Sequence, residues 1–208
     1  MKEVDDAIAS VKDDGLKFIL KEFWEQHVPA YFFEEPASSS GKFHPYYANG
    51  RGGLLRHTLS ALEEAERIIR VPKEDRLSAE RCDEVRIAVL LHDILKYGDV
   101  NEYEIGKRAG RKMHTHADHG FFAAACFNNF AASRGLDSKR ARIISVALSG
   151  HMGVFAPRHL DFEVASHDEQ DVLYIVTRAD FLVSQKDHKS VMAERLFREH
   201  QGEAPYGY

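Results

Sequence analysis

The chain has 208 residues, of which 28 are Lys or Arg and 33 are Asp or Glu, for a formal charge of −5; 44% are hydrophobic and 11% aromatic. This composition supports a hydrophobic core of ordinary size, in one domain with or without an N-terminal extension, and offers no global electrostatic case for nucleic-acid binding. Two cysteines, Cys82 and Cys126, argue against a disulfide framework, and no window approaches the ~18 to 20 uninterrupted apolar residues of a membrane span, so a soluble, cytoplasmic protein with no membrane partner is expected.

In chain order, residues 3 to 28 place Val4, Ile8, Val11, Phe18, Ile19 and Phe23 at near-helical spacing, with Gly15 as a candidate break and Pro29 as a stop. From Pro29 to Gly53 the chain carries Pro, Ser, Gly and aromatic residues without periodicity, which is the composition of a long functional loop, a lid or a rim. Helices are expected over 54 to 70, over 80 to 95, where the residues look apolar nearly all round, and over 115 to 133, ending at Gly135. Asp137 can cap a helix running to about Ser149, "SHDE" at 166 to 169 fits a capping box ahead of the next helix, and a last helix occupies 187 to 200 before a fraying tail. The class is all-α.

Several polar residues fall where apolar ones belong. His57 shares a helical face with Leu54, Ala61, Ala65 and Ile68; His151 continues the stripe of Ile144, Ala147 and Leu148; Asp180 continues Leu173, Val176 and Thr177. His116 and His119 begin a helix whose inner face runs through Gly120, Ala123 and Phe127, and His92 and Asp93 close an apolar run. A buried neutral histidine costs little, whereas a buried ionised Asp needs a cation or strong donors. Histidines and carboxylates on converging faces suit a divalent metal with mixed nitrogen and oxygen ligation; the metal-free alternative is a His/Asp network neutralised by a cation such as Arg178. His27, His159, His188 and His200 read as surface residues, and His114 as solvent-facing.

The series His57 in "GGLLRHT", His92–Asp93 in "LLHDILK", a histidine at 116 or 119, His151 in "LSGHMG" and Asp180 in "ADFL" resembles the HD-domain metal-dependent phosphohydrolases over residues 44 to 186. The loop "KFHPYYANGR" before the first motif makes the likeness greatest to the HD domain of bacterial YhaM-type 3′-to-5′ exoribonucleases, although nothing resembles the OB-fold those enzymes carry. The resemblance implies an HD-domain helical bundle over 44–200, preceded by an extension over 1–43 and followed by a tail over 201–208, with metal ligands on facing helices. It also implies that His57, His92, Asp93 and Asp180 hold one divalent ion, and that Asp93 bridges to a second completed by His116 or His119 and by His151. The "HADHG" spacing favours His116. Gly150 stands where several members carry the first of a histidine pair, which weakens the second site.

The implied chemistry is phosphoester hydrolysis of nucleotides or short nucleic acids by water activated on one or two ions (Mn, Mg, Fe, Ni or Zn), with Asp93 orienting the ions and Lys96 meeting a phosphate oxygen or the leaving group. The loop aromatics Phe43, Tyr46 and Tyr47, together with His44 and Arg51, are candidates for substrate contact, and Lys107, Arg108, Arg111 and Lys112 form a basic rim or a solvated face. A non-catalytic metal- and nucleotide-binding regulatory module is the alternative, and a di-iron oxygenase a third reading.

Overall fold

Local capping chemistry divides the N-terminal helical stretch in two. In the computed structural model, which describes residues 1–42, 44–71, 77–156 and 163–202, α1 spans Lys2–Ala9 and α2 spans Asp14–His27. The break falls before Gly15, because Asp13 leaves the helix and accepts the Leu16 N–H on Oδ1 at 2.9 Å, restarting the helix at Asp14. The restart changes the phase of the apolar face. Leu16, Leu20, Ile19 and Phe23 are buried, while Phe18, expected inward, is exposed.

The long connection after α2 is packed down. It makes short 3-10 turns at Ala30–Phe33 and Tyr46–Ala48 and buries Tyr31, Phe32, Ala37, Tyr47 and Ala48. Part of it therefore packs in the core, while Ala30, Glu34, Tyr46 and Arg51 stay exposed. The fully buried Arg56 fastens it to the following helix: Nε donates to the Tyr47 carbonyl at 2.5 Å, and Nη2 to those of Asn49 and Arg51 at 3.1 and 2.8 Å. Gly53 starts that helix because a Cβ there would collide with the Ala48 carbonyl and the Pro36 backbone.

Seven more helices follow among the described residues: α3 Gly53–Arg70, α4 Ala79–Leu91, α5 Val100–Arg108, α6 His119–Ser133, α7 Ser138–Gly150, α8 His167–Val183 and α9 Val191–Gly202. No strand occurs among them, so the architecture is an all-α bundle. Helix α5 has no counterpart in the sequence reading, since Tyr103 and Gly106 are its only buried residues; Asp99 starts it by accepting the Asn101 and Glu102 N–H groups. The caps expected of Asp137 and Ser166 are present, with the Arg140 and Glu169 N–H groups donating to them at 3.1 and 3.2 Å. Helix α4 packs among α3, α7 and α8, and α6 lies along α7, so the ends of four of these helices converge beside α3. No helix among the described residues is long and apolar enough to cross a membrane.

Candidate metal centre

Six of the sequence-singled residues meet at this convergence, each from a different structural position. His57 projects from the interior of α3, His92 and Asp93 follow the last residue of α4, His119 opens α6, His151 follows α7, and Asp180 lies near the end of α8. His57, His92, Asp93, His119 and His151 are all at most 2% exposed, while the Asp180 side chain keeps 19% of its surface open. Asp180 is therefore the most exposed of the six.

The donors form two groups that share one carboxylate. His57, His92 and Asp180 direct ligand atoms to one point, and Asp93, His119 and His151 to another, with the atoms of each group within 4.8 Å of one another. Asp93 Oδ2 lies 3.5 Å from both His57 Nε2 and His92 Nε2, while Oδ1 lies 3.0 Å from His119 Nε2 and 3.7 Å from His151 Nε2. Across the first group, His57 Nε2 is 3.0 Å and His92 Nε2 is 3.7 Å from Asp180 Oδ1. One carboxylate oxygen thus faces each group.

Helix ends set the imidazole orientation. The last carbonyls of a helix lack intrahelical partners, and two of them take an imidazole proton here: His92 Nδ1–H donates to Val89 O at 2.7 Å and His151 Nδ1–H to Leu148 O at 2.8 Å. His119 Nδ1–H donates in the same manner to His116 O at 2.7 Å. With each Nδ1 protonated, Nε2 offers a lone pair inward, the arrangement typical of a metal-ligating histidine. His119 Nε2 and His151 Nε2 then stand 3.1 Å apart beside Asp93 Oδ1, three atoms that can each direct a lone pair to one point. This crowd of electron pairs fits a cation.

Charge is distributed accordingly. Burial works against an ionised Asp93, yet the Lys96 ammonium and the surrounding imidazoles outweigh it and hold the carboxyl well below the usual carboxylate range. Burial likewise opposes ionisation of Asp180, and His57 and His92 prevail to hold it low. Burial pushes His57 and His119 below the usual imidazole range; His92 moves up because Asp93 and Asp180 more than offset its burial. A pair of anionic carboxylates amid four imidazoles is the donor set of a borderline divalent ion, so the residues present fit the metal that the motifs imply.

Of the remaining candidates, Lys96 is 8% exposed and sets Nζ 2.5 Å from Asp93 Oδ2. The Lys96 carbonyl accepts the His116 N–H at 2.7 Å, and Tyr31 Oη donates to the carbonyls of Ile94 and Gly98, so this turn is pinned on both sides. His44 belongs to the centre, with its ring 5.1 Å from that of His57. Arg51 does not: its side chain is exposed and lies 4.0 Å from Glu34. His116, favoured by the "HADHG" spacing, lies outside both groups. The helix begins at His119, so it is His119 whose ring enters, while His116 Nδ1 accepts the Asp118 N–H at 3.2 Å and its ring packs on Phe122. Gly120 makes this possible, since a Cβ there would lie 2.5 Å from Leu148 O and 2.9 Å from the His151 ring.

Arg178, the cation considered for a metal-free network, is exposed with its guanidinium over the Phe181 ring, and Lys96 is the cation at the centre. Two histidines read as surface residues are half-buried: His27 stacks on Phe23, and His188 joins Tyr47 and Glu64 through its two ring nitrogens at 2.6 and 3.0 Å. Phe43, His159 and the His200 side chain lie outside the described residues. Ser184 was not singled out; it stands four residues after Asp180 on the same face, which is the signal that finds it, and donates to Asp180 Oδ1 at 3.4 Å. Comparison of the chain with protein-family models, with curated proteins and with solved structures finds no match in any of the three.

Proposed function

We propose that this protein is a metal-dependent phosphohydrolase or phosphodiesterase of HD-domain type that hydrolyses phosphoester bonds of nucleotides or short nucleic acids. The observation that carries the reading is the sharing of Asp93 between two His-rich groups, with a lysine on the same carboxylate. Bound divalent ions supply Lewis acidity toward a phosphoryl oxygen and acidify water toward neutrality. His57, His92 and Asp180 would hold one ion and His119 and His151 a second, with Asp93 common to both. Four imidazoles favour Zn, Fe or Ni, then Mn, over Mg.

The chain's own residues divide the remaining work. Burial of the histidines excludes bulk water and strengthens every electrostatic contact at the centre. Lys96 neutralises Asp93 in the absence of a second cation; once that carboxylate faces metal, its ammonium is a point charge for a non-bridging phosphate oxygen. The partly open Asp180 edge admits the phosphate, and the exposed Arg108, Arg111 and Lys112 draw anions toward the loop that the Lys96 carbonyl anchors.

The test is hydrolysis of a panel of nucleotides and short oligonucleotides by metal-free protein resupplied with Mn²⁺, Fe²⁺, Ni²⁺ or Zn²⁺. Metal-dependent turnover that Lys96→Met lowers by about 10- to 100-fold without lowering bound metal is expected. A fully loaded protein that binds these ligands and turns none over would overturn the enzyme reading in favour of a regulatory binding module.

A further inference from the structure

The four imidazoles of the centre are not held alike. His92, His119 and His151 sit at helix ends, where a carbonyl three residues back takes the Nδ1 proton. His57 lies inside α3, where the carbonyls of the preceding turn are committed to the helix, and the Leu54 carbonyl also accepts the Thr58 hydroxyl. Its Nδ1 is fully buried and meets no hydrogen-bond partner among the described residues. A His57 that ligates through Nε2 carries its proton on Nδ1, and that proton needs an acceptor.

A matching orphan lies beside it. His44, on the connection before α3, packs its ring against His57 at 5.1 Å between centroids, and its Nδ1 is also buried without a partner among the described residues. Its other nitrogen is spoken for. Ser184 directs its hydroxyl proton to Asp180 Oδ1, so its oxygen accepts from His44 Nε2–H, at 3.4 Å in each case. That fixes the tautomer and leaves His44 Nδ1 as a lone pair.

We infer that His44 is the positioning residue for His57, accepting the His57 Nδ1–H across one bridging water and so holding His57 Nε2 toward the first ion. Two unpartnered Nδ1 atoms on rings 5.1 Å apart suit that link. One chain of contacts then runs from His57 through His44 and Ser184 back to Asp180, tying two ligands of the same ion to each other from behind. The role assigned to His44 changes with this: it acts through a ligand and not on the substrate. The inference rests on the metal reading given above.

The experiment titrates metal-free full-length chain with Co²⁺ alone, followed by visible absorption, for the wild type, His44→Leu and His44→Asn. Asparagine can place an acceptor oxygen where Nδ1 sits; leucine cannot. His44→Leu is expected to weaken the first Co²⁺ by about 10- to 100-fold and shift its absorption bands, with His44→Asn staying within about threefold of the wild type. A slowly exchanging His57 imidazole proton is expected in the ¹⁵N-correlated NMR spectrum of the wild type and of His44→Asn. Wild-type affinity in His44→Leu, or an equal loss in both variants, overturns the inference while leaving the metal reading intact. A wild type that takes up no Co²⁺ overturns both. The wild-type imidazole proton needs no substitution, so its absence also counts against the inference where His44→Leu fails to fold.

Discussion

Helix α4 carries buried charge at both ends and neutralises it by two different means. At its start, Asp83 accepts the Lys12 and Asp13 N–H groups at 2.8 to 3.0 Å and Arg86 Nη1 at 2.7 Å, while Glu84 lies 2.8 Å from Arg81 and 3.1 Å from Arg140. Past its other end, Asp93 faces four imidazoles and one lysine. Arginine is a permanent cation with a fixed fork of donors, so the first end is closed by the protein alone. Imidazoles that have given their Nδ1 protons to carbonyls direct Nε2 inward, and the residues at the second end could hold a metal ion. Equal burial is therefore met differently at the two ends: by arginine ion pairs at one, by a His/Asp cluster that could take a metal at the other.

Breaking each end separately should produce different losses. Asp93→Ala removes the carboxylate whose two oxygens face the two groups; hydrolysis is expected to fall by at least about a thousandfold and bound metal to drop, with helicity by circular dichroism nearly unchanged. Wild-type metal content in that variant would remove the basis of the comparison. Asp83→Ala should do the reverse, costing about 3 to 5 kcal/mol in denaturant unfolding because Arg86 and two N–H groups lose their partner, while metal content per folded chain stays put. A stable Asp83→Ala chain would show that the arginine end contributes specificity and not stability.

Within the metal end, the second group can be probed by histidine choice. His119→Ala should weaken one ion by about 10- to 100-fold, and His116→Ala should leave both ions in place, since His116 supplies a carbonyl that the substitution keeps. Equal loss from the two, measured by metal titration, would mean that the ring at 116 enters the site. The smallest effect expected is a pH dependence at the arginine end. Burial pushes Glu84 up to about 7 despite Arg81 and Arg140, so its stabilising contribution is complete below the ordinary Glu value near 4.5 and fades as pH rises through about 7. The melting temperature of the wild type should accordingly fall between pH 5 and 8 relative to that of Glu84→Gln, and parallel curves would contradict this.

The two ends also differed in how far they could be read from the residues alone. Helical stripes sent His57, His151 and Asp180 inward, because burial of a polar residue on an apolar face follows from spacing, and the all-α class followed from the same periodicity. The choice between His116 and His119 depended on where α6 begins, a matter settled by the Gly120 approach to His151 and not by the three-residue spacing. Arg51 looked close to His44 in sequence, but the Arg56 clamp on the Tyr47–Arg51 carbonyls turns it to the surface. The arginine end runs against the expectation of a helix apolar nearly all round over 80 to 95: Arg81, Asp83, Glu84 and Arg86 are buried there, with partners from the turn before α2 and from α7. Helix α5 was missed because it buries almost nothing.

The most direct test of the shared-carboxylate centre is the metal stoichiometry of the purified chain, wild type against Asp93→Ala, after equilibration with Mn²⁺ or Zn²⁺. The account predicts one ion for each of the two groups in the wild type and a marked loss from both when Asp93 is replaced. A wild type without bound metal, or an Asp93→Ala chain that holds as much as the wild type, would contradict it.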